Sequence, residues 1–275
     1  MNRPVEVKNQ ASGDERQVTF AYEHDPAGMV AKITREGGTF TEYEYDALNR
    51  LARETEKQES KKQDAKIKYD YQYRYDAVGN RMESVERKGD EESRQIREIY
   101  AYDGDNRLLE LIRYKEANGL SRPVETIAYV YDANGNRMSK EQVKFDDNEQ
   151  GPEITYYGYD HENRLTNLEY TGDSGEDDIP NASFEYDGNG IRRKAVEGDV
   201  ITRYYYDGLN ALFEKDEAGF TRKAYTRGLG FPGGIGGLIS MKRFEQEEDG
   251  LEEKTHYYHY DALGSVRGLS DGKGK

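Results

Sequence analysis

The residues Tyr129-Val130-Tyr131-Asp132-Ala133-Asn134-Gly135-Asn136-Arg137 decide the fold, because close variants of them recur along nearly the whole chain. Tyr129 and Tyr131 alternate with Val130, the period of a strand with one face packed and the other wet. Asp132 follows, and Gly135 stands three residues beyond it. That spacing suits a type I turn closed by a left-handed residue. The aspartate accepts hydrogen bonds from turn N–H groups, and Gly or Asn enters the left-handed region at little cost. The unit reads as strand, tight turn, strand: a β-hairpin with a bulge at its turn.

Nine aspartates open such turns: Asp25 with Gly28, Asp46 with Asn49, Asp76 with Gly79, Asp103 with Asn106, Asp132 with Gly135, Asp160 with Asn163, Asp187 with Gly190, Asp207 with Asn210, and Asp261 with Gly264. Gly and Asn alternate at the closing position without exception, so the repeat is a pair of hairpins. After Asn an arginine follows at once (Arg50, Arg107, Arg164); after Gly it comes one residue later (Arg81, Arg137, Arg192). That offset would flip later side chains to the other face unless a bulge absorbs it. Neighbouring hairpins are therefore expected to differ in bulge geometry. Replacing Asn106 by Gly is expected to be near neutral, since both residues tolerate the left-handed region.

Composition narrows the class. With 34% hydrophobic and 35% charged residues the chain would suit disorder, but its 24 tyrosines are regularly placed and bring large buried areas with a polar tip. Tyr69, Tyr71, Tyr73 and Tyr75 set four rings on one strand face, opposite Asp70, Gln72 and Arg74. A net charge of −15 disfavours the nucleic-acid backbone as a partner. The absence of cysteine excludes disulfides, thiol nucleophiles and thiolate metal sites. No apolar run reaches membrane-spanning length, and no apolar stretch of a signal peptide follows Met1-Asn2-Arg3-Pro4.

Three segments are expected: lead-in strands over 1–24, a regular hairpin array over 25–215, and a Gly-rich connection with a terminal repeat over 216–275. The turn aspartates through Asp187 are 21 to 30 residues apart, room for two strands and two connections. All of these turns are then expected along one edge. Polar loops are expected on the opposite edge, at Glu56–Lys66, Lys115–Arg122, Asp146–Pro152 and Gly172–Pro180. From Asp207 the spacing lengthens to 54 residues before Asp261. Gly228, Gly230 and Gly233 match G-x-G-x-x-G formally, but Pro232 and further glycines stand where a dinucleotide-binding helix would begin. Unpaired sheet edges are expected near Gln17–Tyr22 and Thr255–Tyr260.

The Tyr-x-Tyr-Asp-x-x-Gly/Asn-Arg repeats resemble the YD repeats of the Rhs family, which includes bacterial polymorphic toxins, wall-associated proteins and Tc toxin shell components, with teneurins related. The resemblance covers about residues 18–271. Tyr257–Asp271 looks like the last repeat before the end of an Rhs core, and the Gly-rich stretch 228–237 resembles the segment that precedes it. The resemblance implies an all-β fold, a spiral of sequential antiparallel hairpins forming an open segment of a hollow β-shell. It further implies the rest of that shell and an encapsulated C-terminal toxin as partners, and a secreted or cell-surface bacterial setting. Relatives carry an Asp-Pro-x-Gly-Leu autocleavage site and a variable toxin after the shell; this sequence stops at Lys275, before either.

The chemistry that the residues could carry is limited. His256 and His259 lie three apart on an expected strand, so they point to opposite faces and make a poor metal pair. His24 stands where the second motif tyrosine belongs and is expected to pack. Asp132-Ala133-Asn134-Gly135-Asn136 and Asp103-Gly104-Asp105-Asn106 are oxygen-rich, but the full calcium-loop pattern with its bidentate Glu is missing. No nucleophile elbow is found. The expectation is a structural repeat segment with no catalytic, metal-binding or cofactor-binding residue, no cofactor, no nucleic-acid partner and no membrane span. The alternative is a cell-surface module binding a glycan or protein through exposed tyrosine faces.

Overall fold

The computed structural model describes residues 6–10, 17–60, 64–89, 94–117, 119–145, 151–172, 181–228, 237–247, 250–260 and 264–272. Among the described residues it is all-β, with 21 strands and one 3-10 turn at Glu36–Gly38. Two compact units form, one from Tyr22–Asn181, the other from Met1–Ala21 with Ala182–Lys275. Among the described residues every registered pairing is antiparallel and joins strands consecutive in the chain, so neither unit's ladder closes on itself.

In the larger unit the hairpins follow one another from Thr39–Tyr45 and Leu51–Gln58 to Glu153–Tyr159 and Leu165–Thr171. The register at the turn is the same in all of them. Tyr45 pairs with Leu51, Tyr75 with Arg81, Tyr102 with Leu108, Tyr131 with Arg137 and Tyr159 with Leu165, each with the ladder shifted at that tyrosine. The expected difference in bulge geometry does not occur. One bulge serves both turn types, and the arginines of both lie over tyrosine rings of one strand, Arg50 over Tyr75 and Arg81 over Tyr73.

In the smaller unit Glu6–Gln10 pairs with Gln17–Ala21, and the strands from Ala182–Tyr186 to Val266–Asp271 pair in chain order. The residues expected at open edges are therefore paired: Val18 with Asn9 and Phe20 with Val7 in the backbone register, and Tyr257 with both Ser240 and Ser270. The stretch Lys115–Arg122, expected as a loop, is mostly strand, with Lys115 opposite Arg122.

The core is small and mixed. Among the described residues the larger unit buries Tyr22, Ile33, Phe40, Tyr100 and Leu111 together with Thr41, Thr55, Asp70, Ser84, Glu125 and Thr155, and the smaller unit buries Phe20, Ala195 and Tyr260 together with Glu214. A sheet that buries polar groups must pair them. Asp70, on the strand side expected to be wet, is 4% exposed. Arg53 Nε and Arg87 Nη1 donate to its carboxylate at 2.7 and 3.2 Å from the two neighbouring strands. Thr55 and Gln72 donate to it as well, so its charge is neutralised and its lone pairs are filled.

Candidate functional site

The repeated turn is the most elaborately built feature of the chain. In Asp46–Arg50 the N–H of Asn49 donates to the Asp46 carbonyl at 3.0 Å and the N–H of Asp46 to the Arg50 carbonyl at 2.8 Å. Asp46 Oδ1 accepts the N–H groups of Leu48 and Arg50, both at 2.9 Å. The same two acceptances, from the second and fourth residues onward, recur at Asp76, Asp103, Asp132, Asp160 and Asp187. These bonds favour the ionised form. Asp46, Asp103 and Asp160 are held below the usual carboxylate range, first by the backbone N–H four residues on and then by the arginine side chain there.

The closing residue has positive φ in both types. Asn49, Asn106 and Asn163 lie at φ 58, 63 and 59°, whereas Gly28, Gly79, Gly135 and Gly190 lie at 91, 106, 87 and 78°. Gly264 is also positive, at 80°, while Asp261 lies outside the described residues.

The Asp207 copy is different. Asp207 and Asn210 are paired strand residues, Gly208 takes the positive φ of 56°, and Asn210 is not left-handed. A two-residue hairpin loop, Gly208-Leu209, suffices there because a small residue with positive φ occupies the first loop position. Nine residues later Asp216 makes a turn of the repeated kind. Gly219 N–H donates to its carbonyl at 3.1 Å, and Phe220 N–H reaches Oδ1 at 2.9 Å. Asp216-Glu217-Ala218-Gly219 carries the spacing, but no tyrosines precede it. Following the next connection in the meander, it sits on the edge opposite to the Gly208-Leu209 loop.

Two further contacts complete the motif. The tyrosine before the aspartate donates its phenol hydrogen to the hairpin before it: Tyr45 to the Val30 carbonyl, Tyr75 to Leu51, Tyr102 to Arg81 and Tyr131 to Leu108, at 2.9 to 3.0 Å. The arginines of the Gly copies lie over rings, Arg81 over Tyr73, Arg137 over Tyr129 and Arg192 over Phe184, at 4.3 to 4.8 Å. Tyrosine and arginine thus serve packing between strands.

A second polar group runs across five strands of the larger unit. Ser84 and Tyr100 bond to Glu98, Arg113 donates to Glu98 and to Glu125, and Gln142 donates to Glu125. Glu98 and Glu125 are two carboxylates sharing one guanidinium, a pair to test for acid–base chemistry. A general acid near neutral pH requires a raised carboxyl pKa. Burial pushes Glu98 up, but bonds from Tyr100 and Arg113 outweigh it, and the carboxyl is held low. Such a group accepts hydrogen bonds and donates none.

Of the histidines, His259 Nε2 lies 2.7 Å from Ser270 Oγ, with both residues buried. Among the described residues no group of three or more His, Cys, Asp or Glu side chains could hold a metal ion, and no helix is long and apolar enough to cross a membrane, which says nothing of a β-barrel. Residues 229–236 of the Gly-rich stretch lie outside the described residues.

Residues 24–59 match the RHS Repeat family model. The chain is 32% identical over 84% of its length to the tRNA3(Ser)-specific nuclease WapA of Bacillus spizizenii, and 32% identical over 84% to the tRNA nuclease WapA of Bacillus subtilis strain 168. It spans 8% of the length of each of those two proteins. The crystal structure of TcdB2-TccC3-Cdc42 aligns with 98% of this chain, and 16% of its own, at 14% identity and a TM-score of 0.47. On its repeats, its turns and its sequence relatives, the chain belongs to the RHS (YD-repeat) family.

Proposed function

We propose that the chain is a non-catalytic structural segment, part of the wall of a hollow β-shell that encloses a toxin domain in longer relatives. The observation that carries this reading is the series of consecutive hairpins in the larger unit, four of them fastened to the one before by a tyrosine phenol. Repetition of one contact builds extent. The nuclease names of the Bacillus relatives fit a toxin carried elsewhere in those proteins, of whose length this chain matches a small part. The setting is secreted or cell-surface, and the partners are further shell and an enclosed domain.

The test has two arms. The purified chain is incubated with tRNA, and no cleavage is expected; cleavage abolished by one point substitution would overturn the non-catalytic reading. In a full-length protein containing these repeats, the downstream domain is expected to resist protease until the wall is weakened by Gly135→Val. Equal protease sensitivity with and without that substitution would overturn enclosure.

A second reading, surface binding of glycan, has one observation in its favour. Tyr205, 40% exposed, stacks on Phe213 at 4.7 Å, with Lys215 over both rings. A glycan array probed with wild type and with Tyr205→Ala separates the readings, since binding lost with the ring would favour this one.

A further inference from the structure

We infer that the alternation of Asn and Gly turns is a pairing code between consecutive hairpins, in which each turn type is built to dock on the other. At Asp46, Asp76, Asp103 and Asp132 the side chain of the residue four after the aspartate has two donor hydrogens in use. One holds its own aspartate and the other reaches the next turn.

In the Asn-type turns this residue is arginine. Arg50 Nε donates to Asp46 Oδ2 at 2.6 Å, and its Nη1 donates to the carbonyl of Asp76, in the next turn, at 2.7 Å. Arg107 repeats this on Asp103 at 2.6 Å and on the Asp132 carbonyl at 3.3 Å. The guanidiniums also lie over the next hairpin's rings, Arg50 on Tyr75 and Arg107 on Tyr131. In the Gly-type turns at Asp76 and Asp132 the residue is asparagine, whereas Met29 and Ile191 stand there in the turns at Asp25 and Asp187. Asn80 Nδ2 donates to Asp76 Oδ2 at 2.9 Å and to the side-chain oxygen of Asn106 in the next turn at 2.8 Å. Asn136 does the same to Asp132 at 2.9 Å and Asn163 at 2.8 Å, where Asn134 adds a bond at 3.2 Å.

The acceptor is thus different at each kind of junction, and so is the reach. A long guanidinium spans to a backbone carbonyl, whereas a short amide needs a side-chain oxygen to meet it. The amide nitrogen has two hydrogens, and both are used. Asn106 and Asn163 are therefore acceptors as well as left-handed residues, and the near-neutrality expected of Asn106→Gly does not hold. The larger unit contains an internal control. Asn49 follows a turn whose fourth residue is Met29, which has no side-chain donor, so Asn49 needs only its backbone conformation. The code makes two hairpins the smallest unit by which such an array can be lengthened or shortened with every junction kept.

The test uses the whole chain, with urea unfolding and amide exchange. Asn106→Gly and Asn163→Gly are expected to lower the urea midpoint and to speed exchange in their turns by roughly fivefold, the loss of one ordinary hydrogen bond. Asn49→Gly is expected to do neither. Asn80→Ala and Asn106→Gly should be non-additive, because each removes the same bond. Asn80→Arg combined with Asn106→Gly converts that junction to the arginine type, and the midpoint should recover. Equal responses at 49 and 106, or full additivity of the 80 and 106 variants, would overturn the code.

Discussion

The phenol of Tyr75 donates to the carbonyl of Leu51 at 2.9 Å, from one hairpin to the start of the second strand of the hairpin before it. The tyrosine of the motif is thus a fastener between repeats through its hydroxyl as well as a ring on which arginine packs. Tyr75→Phe keeps the ring and removes the bond. It is expected to cost about 1 kcal/mol, with Tyr45→Phe and Tyr131→Phe similar, in urea unfolding. If all three match wild type, the hydroxyls contribute nothing to cohesion.

Gly135 has φ +87° and open space where a Cβ would stand, so substitution there meets backbone strain and no clash. Gly135→Val is expected to destabilise by about 1–2 kcal/mol, the cost of a left-handed β-branched residue. Gly104 also has open space around a Cβ, but no left-handed φ. Gly104→Ala should therefore be tolerated, and a loss there as large as at 135 would show that strain is not the cause.

The turn aspartates also set an acid limit. Asp46, Asp103 and Asp160 have folded pKa values below their ordinary ones, so their contribution to stability is fully present above the unfolded value of about 3.9. It is lost as pH falls from there through the lowered folded values. Urea midpoints measured from pH 7 down to pH 2 should hold and then drop below about pH 4. Asp160→Asn should lower the plateau and flatten the drop. A midpoint that rises on acidification would contradict the bonding seen at these turns.

Much of this was legible in the sequence for a simple reason. Alternation and an Asp followed three residues later by Gly or Asn report local backbone geometry, and local geometry repeated often enough implies the hairpin array. What was not legible depends on neighbours distant in sequence. Asn106 looked like a substitute for glycine because its acceptor role appears only when Asn80, 26 residues earlier, is placed beside it. Arg50 and Arg81 looked like one arginine displaced by a residue, yet they face different partners, the Asp76 carbonyl and the Tyr73 ring. Asp216 carried the turn spacing without the tyrosines, which are needed for fastening and not for turning.

Asp70 shows the same limit from the side of charge. In sequence it is one polar residue among four tyrosines, on the side expected to face water. In the fold it is buried between Arg53 and Arg87, contributed by the strands on either side. Removing one partner of a buried ion pair leaves an uncompensated charge, at about 3–5 kcal/mol when the pair is fully enclosed. Here the arginine side chains are 38% and 32% exposed, so water recovers part of the loss. Asp70→Ala is expected to cost about 2 kcal/mol, in the range of a lost charge-assisted hydrogen bond. Asp70→Asn keeps the volume and one acceptor and should fall between Ala and wild type. Adding Arg53→Met and Arg87→Met to Asp70→Ala removes the stranded charges, and stability should recover in part. Urea unfolding of the three variants decides the matter: a triple variant less stable than Asp70→Ala would mean that the arginines act through their stems, and not through the charge that Asp70 balances.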